Sequence, residues 1–198
     1  MGFSHSWIAV RGLSREQALE ALGMEVSGAQ TDYLDGIALI DWEDDWLLAI
    51  SDDCADAFDG DLAKLSPLGR AVACCVHEGV MYSEARGYES GKEIWRIVHD
   101  PNEDESLYSL RTSGELPEPF DTIVRETRAE QDREGGEDAD VDFMFEVPTK
   151  FAASICGYTL GKSDPDESQY LNVNRIGAAP ARRGDGSPGF FARLFGRT

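Results

Sequence analysis

Between Arg15 and Lys64 the chain has no lysine and no arginine, while the same stretch holds 14 Asp and Glu. The whole chain carries a formal net charge of −20. A field of that sign repels nucleic acid and anionic membrane surfaces, so direct binding to either is not expected, and it draws in basic proteins. Cysteine is scarce too. Cys54, Cys74, Cys75 and Cys156 form no CxxC pair, which argues against a disulfide framework or a cysteine zinc site and for buried thiols in a reducing compartment. Cys74 and Cys75, being neighbours, point to opposite faces of any strand that holds them. The chain also lacks a GxxxxGK[ST] loop, a GxGxxG behind a strand and a GxSxG elbow, which disfavours nucleotide chemistry and the serine-hydrolase scheme. No apolar run approaches the roughly 20 residues that span a bilayer, and the first residues show no basic region followed by an apolar stretch, so a cytoplasmic address is expected.

What is present indicates a folded chain. Hydrophobic residues make up 41% of the 198, with four Trp, nine Phe and six Tyr, too many aromatics for an acidic disordered protein. Ser6–Val10 reads as a strand, and Ser14 with Gln17 forms a capping box ahead of a helix that Gly23 stops. Gly36–Asp41 and Trp46–Ser51 read as a hairpin across the acidic turn Trp42-Glu43-Asp44-Asp45. Asp52–Leu65 is expected to be helical at least in part, with Ala55, Phe58, Leu62 and Leu65 on one side. Strands follow at Ala71–Val76, Val80–Arg86, Glu93–His99 and Leu107–Thr112, joined by short connections that suit a meander. Pro117-Glu118-Pro119 opens a helix over Phe120–Arg133, ended by Gly135-Gly136, and Pro148 starts a last helix through Phe151, Ala152 and Ile155.

The expected fold is α+β, a single domain over residues 1–160, with a mostly antiparallel sheet of six to eight strands and three or four helices packed against it. Residues 161–198 read as a flexible Gly-, Pro- and Arg-containing basic tail. From Arg175 to Thr198 there are five Arg and one acid, while residues 1–174 hold 13 basic and 37 acidic residues. Docking on the acidic body, docking on a partner and a disordered tail all fit that composition.

Candidate chemistry is thin. His5, His77 and His99 are the three histidines. His77 and Cys75 would share a strand face, but zinc needs further ligands and His99 is the other obvious donor in the sheet. Asp138, Asp140 and Asp142 alternate like the start of a calcium loop, yet Phe143 stands where that loop needs Gly and Thr149 where it needs Glu. No catalytic residue, metal site or cofactor is therefore expected. Candidate partner-binding residues are Trp42, Glu43, Asp44 and Asp45 in the hairpin turn, Asp52, Asp53, Asp56 and Asp59 after it, and Glu137, Asp138 and Asp140 near the last helix. Trp42 has two readings, a packing aromatic or an exposed ring among carboxylates that would suit an Arg- or Lys-rich surface.

Val72-Ala73-Cys74-Cys75-Val76-His77-Glu78-Gly79-Val80-Met81 with Ile94-Trp95-Arg96-Ile97-Val98-His99-Asp100, and Glu134-Gly135-Gly136-Glu137-Asp138-Ala139-Asp140-Val141-Asp142-Phe143 with Phe145-Glu146-Val147-Pro148, resemble a family of small acidic bacterial proteins. The likeness spans roughly Ser6–Tyr158, and proteins of this kind look similar to immunity proteins of bacterial toxin systems. The resemblance implies a compact α+β domain and transfers no catalytic residue. The expectation is a non-catalytic binding protein, an immunity- or antitoxin-like inhibitor that occludes a basic effector such as a toxic nuclease. A DNA mimic and a carboxylate-based, metal-assisted hydrolase are the alternatives.

Overall fold

The apolar segment around Trp7–Val10 forms the first strand, β1 (Ser4–Arg11), in the computed structural model, which describes residues 4–31, 36–58, 62–65, 69–160 and 170–176, with side chains left aside at 28–31. The capping box forms as expected ahead of α1 (Arg15–Leu22): the Gln17 N–H donates to the Ser14 hydroxyl and the Ser14 N–H to the Gln17 side chain at 2.9 Å. Gly23 ends the helix at φ +65°, a left-handed conformation that glycine adopts without steric cost. The chain continues through β2 (Met24–Thr31), β3 (Ile37–Trp42), β4 (Trp46–Ser51), β5 (Arg70–His77), β6 (Tyr82–Glu89), β7 (Lys92–His99), α2 (Pro101–Asp104), β8 (Arg111–Gly114), α3 (Phe120–Arg133), α4 (Val147–Cys156) and β9 (Tyr170–Arg175). No helix among the described residues is long and apolar enough to cross a membrane.

All nine strands join one antiparallel sheet in the order β2-β9-β3-β4-β1-β5-β6-β7-β8. The α+β class is as expected, with nine strands in place of six to eight. The two additions are β2 and β9, which pair with each other at one end of the sheet. β9 lies inside the segment read as a tail. It inserts between β2 and β3, and Val173 is buried, so residues 170–175 belong to the sheet. The rest of 177–198 lies outside the described residues.

Both faces of the central strands are covered, which is why β4 is buried at every position and reads as a continuous apolar run. One face carries Ile8, Val10, Leu39, Leu47, Ala49, Ala73 and Cys75 beneath α1 and the short turns after β4. The other carries Trp7, Ile40, Leu48, Ile50, Cys74, Trp95 and Ile97 beneath α4, with residues of α3 packed alongside. Cys74 and Cys75 do fall on opposite faces, and both thiols are pushed well up by burial. The Trp95 and Phe120 rings meet Phe151 of α4 edge-on, at 5.0 and 5.5 Å.

One expected segment takes 3₁₀ form and one expected strand is shortened. Within Asp52–Leu65 the described residues form 3₁₀ turns at Cys54–Ala57, capped by the Asp53 carboxylate on the Ala55 N–H, and at Leu62–Lys64. The strand expected over Leu107–Thr112 begins only at Arg111, since the Leu107 N–H and the Ser109 carbonyl are bonded to side chains of other segments.

Gly87 sits under the Trp95 indole. A Cβ there would lie 2.1 Å from the ring, which is held by Phe151 on its other side. Gly87→Ala is expected to lower stability by about 1–3 kcal/mol through overpacking. Thermal melting reads this directly, at about 2–4 °C per kcal/mol for a domain of this size. An unchanged melting temperature would show that the indole moves aside freely.

Candidate partner-binding surface

The hairpin turn Glu43–Asp45 is held by the β3–β4 ladder, whose last pair is Trp42 with Trp46. Asp44 and Asp45 adopt φ of +53° and +62°, tolerable for Asp, whose short polar side chain suits the left-handed region. All three acids are exposed. Trp42 does not stand out among them. Its half-buried ring packs edge-on against Tyr158 at 5.4 Å, and its indole N–H is buried with no hydrogen-bond partner among the described residues. Cations flank the turn, with Arg15 on Asp41 at 2.5 Å and the Arg11 guanidinium 6.0 Å from the Trp46 ring centre.

The acids after β4 are largely committed to the fold. Asp53 caps the first 3₁₀ turn, and its carbonyl accepts from the Ser6 hydroxyl at 2.6 Å. Asp56 accepts from the Ser51 hydroxyl and pairs with Arg175 at 3.6 Å, which ties this turn to β9. Asp52 is exposed, and Asp59 lies outside the described residues.

The third group is built differently. Gln131, fully buried near the end of α3, donates to the Gly136 and Val141 carbonyls at 2.8 and 3.0 Å and accepts the Phe143 N–H at 2.8 Å, so one side chain holds the whole returning loop. His99 at the end of β7 anchors the loop a second time. Its Nε2 meets Asp142 at 2.8 Å and its Nδ1 meets the Ser109 carbonyl at 2.6 Å. Through these two contacts one buried ring ties the Ser109 segment to the Asp142 loop. Glu137 then clamps a neighbouring segment, accepting the Ser106 hydroxyl at 2.6 Å and the Leu107 N–H at 2.8 Å. Asp132 accepts the Tyr108 hydroxyl, and that bond pushes the phenol up to about 12.

These contacts bring Glu103, Asp104 and Glu105 beside Asp132, Glu134, Glu137, Asp138 and Asp140, all of them exposed. Five of these eight were not singled out in the sequence, because 103–105 and 132–140 are distant along the chain. A Ser-x-Tyr-Ser loop needing a carboxylate for its backbone was the available signal. The three expected groups do not converge. The register of β1, β4 and β5 puts the Glu43–Asp45 turn at one end of the strands and Asp52–Asp56 at the other, about 20 Å away at ~3.3 Å per residue. Glu137–Asp140 shares the second end but lies next to β7, four strands from β4 and again about 20 Å away.

Among the described residues no group of three or more His, Cys, Asp or Glu could hold an ion. Cys75 and His99 fall on opposite faces of the sheet, since Cys75 pairs with Glu84 and His99 with the next residue, Ser83. Comparison of the chain with protein families, with curated proteins and with solved structures finds no match.

Proposed function

We propose that the protein works by binding, as an acidic immunity-like inhibitor that caps a basic effector, with the surface formed by Glu103–Glu105 and Asp132–Asp140 as the contact face. The observation that carries this reading is the Glu137 clamp, which sets two exposed acidic segments side by side on a loop anchored by Gln131 and His99. A preorganised patch of one sign raises the encounter rate with an oppositely charged cleft and then occludes it. A nuclease fits this chemistry because its own cleft must be positive to hold phosphates. A duplex mimic would need carboxylates in a long double row, and here Asp53 and Asp56, in the acidic segment after β4, are occupied internally.

The test is a capture of the target by the full-length protein from its host, washed at low and at high salt, followed by association kinetics with the recovered protein. Glu134→Lys with Asp138→Lys and Asp140→Lys is expected to slow association about tenfold or more and to flatten its salt dependence. The same rate for the triple variant and the parent would rule the contact face out.

A further inference from the structure

On the sheet face opposite α3 and α4, strands β6–β8 carry three arginines in a chain whose charge is otherwise overwhelmingly negative. Arg86 and Arg96 are directly paired across β6 and β7, and Arg111 lies one diagonal step further, opposite Val98 on β8. Two of them are well supplied with partners. Arg86 donates from Nε to Glu84 at 2.5 Å, approaches Glu93 at 3.9 Å and stacks 4.1 Å over Phe58, while Arg111 pairs with Glu103. Arg96 differs. Its one hydrogen bond among the described residues runs from Nε to the same Glu84 oxygen, at 2.5 Å. One buried carboxylate therefore serves two guanidinium groups, and the Nη1 and Nη2 donors of Arg96 have no partner among the described residues.

Those donors border an open cavity of about 740 Å³, lined also by Tyr82, Val98, Asn102, Arg111 and Ser113. Glu84 is 0% exposed and also accepts the Tyr82 hydroxyl, so it is fixed on both oxygens and in turn fixes the plane of Arg96. A half-exposed arginine held through Nε has its terminal fork preorganised for a planar anion. Ser113 is the residue directly opposite Arg96 on β8, and its hydroxyl has no partner among the described residues. Asp100, itself buried, and Glu103 also line the cavity and disfavour a multiply charged anion. Val98, buried between Arg96 and Asp100, offers an apolar wall.

The geometry points to a binding site for a small organic monocarboxylate, its head group on the Arg96 Nη fork and the Ser113 hydroxyl and its apolar body against Val98. The site shares Glu103 with the acidic contact face but rests on Arg96 and Ser113, and it stands whether or not that face meets a basic partner. Its affinity rests on one charge-assisted fork, so a dissociation constant near about 1 mM is expected.

The experiment is an NMR titration of the full-length, ¹⁵N-labelled protein, following the Arg96 Nε–H signal during additions of sodium butyrate and sodium benzoate, with sodium chloride and sodium phosphate at matched ionic strength. The expected result is a saturable shift with the carboxylates and a small linear drift with chloride and phosphate. Arg96→Lys keeps the charge but loses the fork and is expected to weaken binding about tenfold or more. Ser113→Ala, on an exposed edge strand, leaves the fold intact and is expected to weaken it about 2–10-fold. No saturation with either carboxylate, saturation by phosphate at the same concentration, or equal binding by Ser113→Ala and an Arg96→Lys protein with a native amide spectrum would overturn the site.

Discussion

Replacing Glu84 with alanine is expected to cost about 3–5 kcal/mol, the range for removing one member of a buried ion pair. The side chain is wholly buried in the middle of β6, and it holds Arg86 and Arg96 through one oxygen and the Tyr82 hydroxyl through the other. Without it two guanidinium groups face each other across β6 and β7, with Glu93 3.9 Å from Arg86. Glu84→Gln keeps the shape and removes the charge, so it should fall between the parent and the alanine variant. Burial by itself would raise the Glu84 pKa, but the bond and the charge of Arg86, the Tyr82 hydroxyl and the charge of Arg96 outweigh it and hold the carboxyl below its ordinary range. The sign of the pH effect follows. A lowered folded pKa gives stability that is fully present above the unfolded carboxylate pKa and is lost as pH falls through the folded value. Denaturant midpoints should therefore show the parent and Glu84→Gln far apart near neutrality and converging in acid, below the usual carboxylate range. A gap that stays constant on acidification would mean that the network contributes packing and not charge.

The second large effect is expected at Asp142. Asp142→Ala leaves the buried His99 ring without its Nε2 partner and also frees the Phe145 N–H, for a loss of about 1–3 kcal/mol for each group left unpaired. Asp142→Asn keeps one acceptor oxygen where Asp142 uses a separate oxygen for His99 and for the Phe145 N–H, so it should lose less than the alanine variant without matching the parent. The damage should be local as well as global. Gln131 still holds Gly136, Val141 and Phe143, so hydrogen exchange in the alanine variant should rise most in the loop around Asp142 and in the Ser109 segment, which His99 joins. Because that loop carries Glu137, Asp138 and Asp140, the variant should also associate more slowly with a basic target if the contact face is as proposed. Equal unfolding midpoints for Asp142→Ala and the parent would show that the His99–Asp142 contact contributes nothing net.

Much of the local structure was legible because its causes are local. Ser14 and Gln17 reveal α1, Pro117 and Pro119 the start of α3, and Pro148 that of α4; each acts within one turn of helix, where capping and fixed φ operate. The β3–β4 hairpin was visible in two apolar runs around an acidic turn. β2 was not visible: it is polar, lies at the edge and is a strand because β9 pairs with it. β9 was overlooked for the complementary reason. Leu171 and Val173 alternate over only six residues, a signal that becomes decisive once β3 offers a free edge.

The amino-acid sequence by itself determined the charge, the α+β class and the ends of α1 and α3, all of which follow from composition and from interactions a few residues long. Only the tertiary structure decided where the charge is concentrated. Strand register carried the Glu43–Asp45 turn away from the other acids, loop contacts across the chain gathered Glu103–Glu105 with Asp132–Asp140, and cross-strand pairing set Arg96 against Glu84. Such juxtapositions depend on which backbones pair and in which register, and that is settled by the burial of the whole sheet and not by any segment's own preferences.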